Sequence, residues 1–300
     1  MTLIMLFEFL IGLTDVYIAG RISKEVQAAY GFATQFYFVF IVIANALTVG
    51  TVSVVSRLFA ASQSDDLTEA VYSSLSAAAI AGIALALAGI TLTPVLIKVV
   101  NIPRELKQFV VPLLKTYAIG LLFHYVLINC NGVLRSCNRI KYSLRTMALV
   151  CGLNIVLDLL LVFKTPLGFK GIAAATASSV FIGSLVNLTA VRKILTPVRR
   201  FSKDAVKRMV NIGWPIGLLQ VFWQMASMVL YLILSALPQN RVEILAALTA
   251  GLRIESAIYL PAFAFNMANA VVVGNLLGEK KEEEAFRSGI ATAAVGVAII

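Results

Sequence analysis

The chain has 300 residues, 60% hydrophobic and only 13% charged, with a mean hydropathy of +0.90. A soluble domain carries about 25% charged residues, so that class is excluded. The net charge of +10 does not mark a nucleic-acid binder, because the Lys and Arg residues lie in short loops between apolar runs and form no single basic face.

Eight apolar runs are long enough to cross a hydrocarbon core of roughly 30 Å. They lie at about residues 2–20, 32–55, 72–99, 109–131, 146–163, 171–191, 209–235 and 245–274, and a ninth starts near Ser288. The expected fold is an all-α, polytopic membrane protein. The first run, Thr2 to Ala19, holds Glu8 and Asp15, and the fifth holds Asn154 and Asp158. An ionised Asp at the centre of a spanning helix costs about 2.5–3.5 kcal/mol on insertion scales. Such residues face a cavity or a partner inside the bundle, and they point to a path for an ion or proton.

Basic residues are distributed unevenly between the two sets of loops. Fifteen of them, among them Arg57, Arg135, Arg139, Arg199 and Lys280, fall on the side of the N-terminus, and nine, among them Arg21, Lys98 and Lys170, fall on the other. The positive-inside rule then puts the N-terminus in the cytoplasm of a multi-pass protein of the cell membrane. The three cysteines, Cys130, Cys137 and Cys151, have no CxxC spacing and only His124 to join them. They read as small packing residues, with no metal site, disulfide or organic cofactor called for.

The longest polar stretch runs from Val191 to Val210, is basic and contains Pro197. It divides a first lobe of six helices (residues 1–191) from an incomplete second lobe (209–300), with a cytoplasmic linker at 192–208. A weak repeat at an offset of 218 residues relates Ala28–Ala60 to the stretch after Ala246. An even number of spans per repeat gives both lobes the same orientation about an axis along the membrane normal. By that repeat the chain is a fragment of a roughly twelve-span protein, short at both ends.

Depth follows from the rise per residue. Asp15 lies five residues before Gly20, Asp158 five before Phe163, and Thr176 five after Gly171. At 1.5 Å per residue all three sit roughly 7 Å below the outer interface. Asn154 shares the helix face of Asp158 one turn deeper, and Glu8 lies on the face of Asp15 roughly 10 Å deeper. Two carboxylates in one dehydrated pocket do not both ionise cheaply, so the pocket favours holding a proton or cation. Asn154 and Thr176 add neutral donors and acceptors. Sodium takes several oxygen ligands, and only four side chains can be named here, two of them carboxylates, which favours protons.

The second lobe offers Arg253 and Glu255 as a further polar site, or as a local ion pair, with Pro261 as a kink in the same helix. Arg253 reads as the one strongly buried base. His124 reads as a structural contact, and Trp223 with Phe32, Phe36, Phe38 and Phe40 as packing or lipid-facing residues.

At these residues the chain resembles the multidrug and toxic compound extrusion (MATE) family. The matching pieces are GLTDVYIAGRISKEVQAAYG, LRSCNRIKYSLRTMALVCGLNIVLDLLLVF, LGFKGIAAATASSV and GLRIESAIYLPAFAFNMANAVVVGNLLGEKKEEEAF, in the family's order over nearly the whole chain. The SQSDDL loop departs from the shorter turn of the family. The resemblance implies two six-helix bundles around a V-shaped cleft and alternating access. It also implies export of small organic, often cationic, compounds driven by H⁺ or Na⁺, by a monomer in the lipid bilayer. In the branch that includes archaeal and DNA-damage-inducible members, the implied cation or proton site maps onto Asp15, Asn154, Asp158 and Thr176. A lipid-linked oligosaccharide flippase of the same superfamily is the alternative, although its cavity is more cationic. An intramembrane aspartyl protease would need a Gly-x-Gly-Asp segment that Asp158 lacks, so no enzyme is expected.

Overall fold

The structure is a computed structural model that describes residues 1–99, 102–197 and 200–299; Arg199 of the basic stretch lies outside the described residues. Among these, the chain forms nine helices and no strand. They are α1 (Thr2–Ile22), α2 (Lys24–Ala60), α3 (Ser64–Val99), α4 (Arg104–Ser136), α5 (Ile140–Phe163), α6 (Lys170–Arg192), α7 (Lys203–Ser235), α8 (Arg241–Gly278) and α9 (Glu282–Ile299). Helices α1 to α8 are long and apolar enough to cross a membrane.

Each helix outruns the apolar run from which it was expected. Helix α8 has 38 residues, roughly 57 Å at the helical rise, against a core of roughly 30 Å. The charged ends excluded by hydropathy remain good helix formers, so α2 starts at Lys24 and α4 at Arg104. Residues 203–208, read as linker, form the first turns of α7. There the Ser202 hydroxyl accepts from the Ala205 N–H at 3.2 Å, and Asp204 sits in the first turn against the helix dipole. Helix α8 continues through Pro261.

The connections are tight. Ser23 is in extended backbone between α1 and α2, and its Oγ caps α2 at Val26 N. Asn138, with φ of 55°, reverses the chain between α4 and α5, a left-handed position that Asn tolerates. The α1–α2 turn at Ser23 and the short α5–α6 connection at residues 164–169 stand at the same end of the bundle, which brings the C-terminal ends of α1 and α5 together with the N-terminal ends of α2 and α6.

Helix α2 is the hub. It packs on α3, α4, α7 and α8, and much of its length is buried, including Phe32 and Phe36. Association in lipid rests on close packing of small residues, and α2 meets α7 in that way. A Cβ on Gly50 would stand 1.9 Å from the Met209 carbonyl oxygen, and one on Gly213 would stand 1.9 Å from that of Ala46. Buried polar groups add interhelical hydrogen bonds. Asn129 Nδ2 donates to Thr51 Oγ1 at 3.1 Å, and Asn187 Nδ2 donates to Asn131 Oδ1 at 2.7 Å. His124 has a structural contact of the expected sort, with its Nδ1 2.5 Å from the Tyr37 hydroxyl. The three cysteines are buried and free.

Candidate functional site: a buried acid pair between four helices

Asp15 and Asp158 are 3% and 0% exposed. They come from α1 and α5, which pack side by side. Helix periodicity explains their burial: Gly12, Asp15 and Ala19 recur at intervals of three and four, so they form one inward stripe on α1. On α5 the stripe is Met147, Val150, Cys151, Asn154 and Asp158. Both carboxyl groups are buried, and each acts on the charge of the other.

Neutral groups complete the cluster. Asp15 Oδ2 accepts from the Thr176 hydroxyl of α6 at 3.3 Å and from the Tyr30 hydroxyl of α2 at 3.3 Å. Asn154 Nδ2 donates to Thr176 Oγ1 at 3.3 Å. The four residues expected from the sequence therefore meet, three of them in one hydrogen-bonded chain with Asp158 against Asp15.

The cluster is rich in acceptors and short of donors. Asp15 Oδ1, both oxygens of Asp158 and Asn154 Oδ1 are buried and receive no hydrogen bond among the described residues. Burying a carboxylate without a partner is costly, and two such groups side by side repel. A proton between the carboxyl groups, or a monovalent cation coordinated by them, is the species that this set of oxygens fits.

A family model described as MatE matches residues 1–160 and 215–300. The chain belongs to the MatE family. Among curated proteins, this MatE chain is 25% identical over 291 residues to the probable multidrug resistance protein NorM of Thermotoga maritima. That match covers 92% of this chain but spans only 61% of the relative's length. The fold is similar to the outward-facing conformation of a multidrug resistance MATE family transporter of the MOP superfamily. The TM-score is 0.88 at 22% identity, over all of this chain and 67% of the other. It is also similar to a MOP superfamily transporter from Pyrococcus furiosus Vc1, with a TM-score of 0.87 at 23% identity, over 99% of this chain and 67% of that one.

Tyr30 was missed in the sequence, although it lies inside a motif singled out there. Its signal was depth: Asp15 is seven residues before the end of α1 and Tyr30 six after the start of α2, so both lie roughly 10 Å from the α1–α2 turn. The second polar site expected from Arg253 and Glu255 does not form as a pair. Glu255 is exposed, two residues on from Arg253 and so on a different face of α8. The Arg253 guanidinium turns to α1, where Nη2 donates to the carbonyls of Glu8 at 3.0 Å and Phe9 at 3.1 Å. Among the described residues the most buried base is a different one. Arg135, read as a loop residue, is 6% exposed in the last turn of α4, because α4 runs on past the end of its apolar run.

Proposed function

We propose that the protein is a secondary active transporter that couples inward movement of protons to export of small organic compounds by alternating access. The observation that carries this reading is the acid pair. Two donor-poor carboxyl groups, fully enclosed at the junction of α1, α2, α5 and α6, make a group that binds and releases one positive charge. Membership of the MatE family and the printed multidrug role of the Thermotoga relative support drugs as the exported class.

Protons are favoured over sodium because the Tyr30 hydroxyl already donates to Asp15 Oδ2, and the Thr176 hydroxyl shares its one proton between Asp15 Oδ2 and the Ile172 carbonyl. Losing or gaining a proton would change the repulsion between Asp15 and Asp158, and with it the fit of α1 against α5 and α6. The reading also includes a cytoplasmic N-terminus, a monomer, and a division into two lobes at residues 192–208.

The test is efflux of a fluorescent organic cation from vesicles carrying the full-length protein, with H⁺ and Na⁺ gradients imposed separately at fixed membrane potential. Efflux driven by the proton gradient in sodium-free medium is expected. Efflux that needs Na⁺ and is indifferent to the pH gradient overturns the choice of proton. Efflux that responds to neither gradient overturns coupling.

A further inference from the structure

A groove opens between α1 and α5 where the two helices end. Its volume is about 580 Å³, and it is lined by Tyr17, Ile18, Gly20 and Arg21 of α1 with Leu159 and Phe163 of α5. Ile18 is buried at its base, while Tyr17, Leu159 and Phe163 stand at least half exposed along its walls. Deeper in the membrane the groove gives onto an apolar stripe. The exposed residues of α5 from Leu149 to Phe163 are Leu149, Gly152, Val156, Leu159, Leu160 and Phe163, at helical intervals on one face and without a polar side chain among them. That is the composition of a face that meets acyl chains. The stripe is 14 residues long, roughly 21 Å at the helical rise, enough to cross the roughly 15 Å of hydrocarbon in one leaflet.

The other end of the groove is positive. Arg21 lies in the last turn of α1, with its guanidinium carbon 5.9 Å from the centre of the Tyr17 ring. Among the described residues it forms no ion pair, whereas Lys24, three residues on, is paired with Glu243. Residues 159–170 contain no acid and add Lys164 and Lys170 at the same end. The acid of the α1–α2 turn, Glu25, sits in the first turn of α2, where it meets the positive end of the helix dipole. A guanidinium fork with no carboxylate on it, at the head of an apolar furrow, matches a phosphate that carries a hydrocarbon chain.

We propose that this groove is a binding site for one anionic phospholipid of the leaflet at that end of the bundle. The phosphate sits on Arg21, Lys164 adds charge at the rim, and an acyl chain runs between Tyr17 and Phe163 onto the α5 stripe. A zwitterionic lipid offers the same phosphate but brings its own cation, which Arg21 and Lys164 repel, so heads of net negative charge are preferred. The lipid touches both α1 and α5, and so holds the two helices together at the end where Asp15 and Asp158 lie. The site does not depend on which ion the acid pair takes up.

The experiment titrates the purified full-length protein in uncharged detergent with dioleoyl phosphatidylglycerol, dioleoyl phosphatidylcholine or inorganic phosphate. Bound lipid is counted by native mass spectrometry, and the thermal midpoint is followed in parallel. Phosphatidylglycerol is expected to bind saturably and raise the midpoint, with phosphatidylcholine and inorganic phosphate leaving it unchanged at the same concentration. Arg21→Gln should weaken phosphatidylglycerol binding at least about tenfold, through loss of a charge-assisted contact. Leu159→Trp fills the groove beside an intact Arg21 and should weaken it comparably; Leu159 is half exposed, so the larger ring leaves the core undisturbed. Lys98→Gln, which removes one charge from the end of α3 outside the groove, should bind as the parent does. Equal binding of the two lipids, a rise reproduced by inorganic phosphate, or an equal loss in Lys98→Gln overturns the proposal. So does parental binding in both Arg21→Gln and Leu159→Trp.

Discussion

Replacing Asp158 by Asn separates the coupling role from a merely structural one, because the two roles predict opposite effects on stability. Asp158 is 0% exposed, neither of its oxygens receives a donor, and Asp15 Oδ1 beside it is equally bare. Two unit charges about 4 Å apart at an effective dielectric near 20 repel by roughly 4 kcal/mol, so the doubly ionised pair is strongly disfavoured. Asn keeps the shape, removes that repulsion and presents an N–H donor to Asp15, worth about 1.5–3 kcal/mol for a bond to a charged group. The variant should therefore fold as well as the parent or better, with a thermal midpoint unchanged or a few degrees higher. Gradient-driven efflux from vesicles should fall to background, because the exchangeable charge has gone. Parental efflux would place coupling elsewhere. A stability loss beyond about 3 kcal/mol, the scale of a broken buried ionic contact, would mark Asp158 as interhelical glue and refute the reasoning.

Tyr30→Phe removes one of the two hydroxyl donors to Asp15. It should cost about 1 kcal/mol in unfolding measurements and shift the external pH at which efflux is half-maximal, whereas an unchanged pH profile would take Tyr30 out of the site. Gly213→Ala drives a Cβ to 1.9 Å from the Ala46 carbonyl, which is backbone and cannot turn aside. Helix α7 must retreat from α2, at a cost of about 1–3 kcal/mol. By contrast Gly152→Ala, where no atom lies within 4 Å, should be neutral or stabilising by up to about 1 kcal/mol. Equal thermal midpoints for these two variants would contradict the close packing of α2 on α7.

Much of the architecture was legible along the chain, because each spanning helix satisfies its own backbone hydrogen bonds and so shows itself as an apolar run. Depth was legible for the same reason. A constant rise per residue, counted from the turns at Gly20, Phe163 and Gly171, levels Asp15, Asp158 and Thr176 before any packing is known. Helix ends were less legible, since hydropathy stops at the first charges, whereas helical hydrogen bonding in α4 and α7 continues through Arg135 and from Lys203.

What the sequence by itself determined is thus the number, order and depth of the groups along the membrane normal. Rotation about each helix axis was decided only in the tertiary structure, because it depends on which grooves small residues open between neighbours. The Gly12 notch draws Arg253 to α1 and away from Glu255. Gly50 and Gly213 let α2 and α7 touch backbone to backbone. The return of α2 beside α1 brings the Tyr30 hydroxyl onto Asp15. Those contacts join residues far apart in the chain, and their physical cause is shape complementarity between helix surfaces, which no periodicity within one helix encodes.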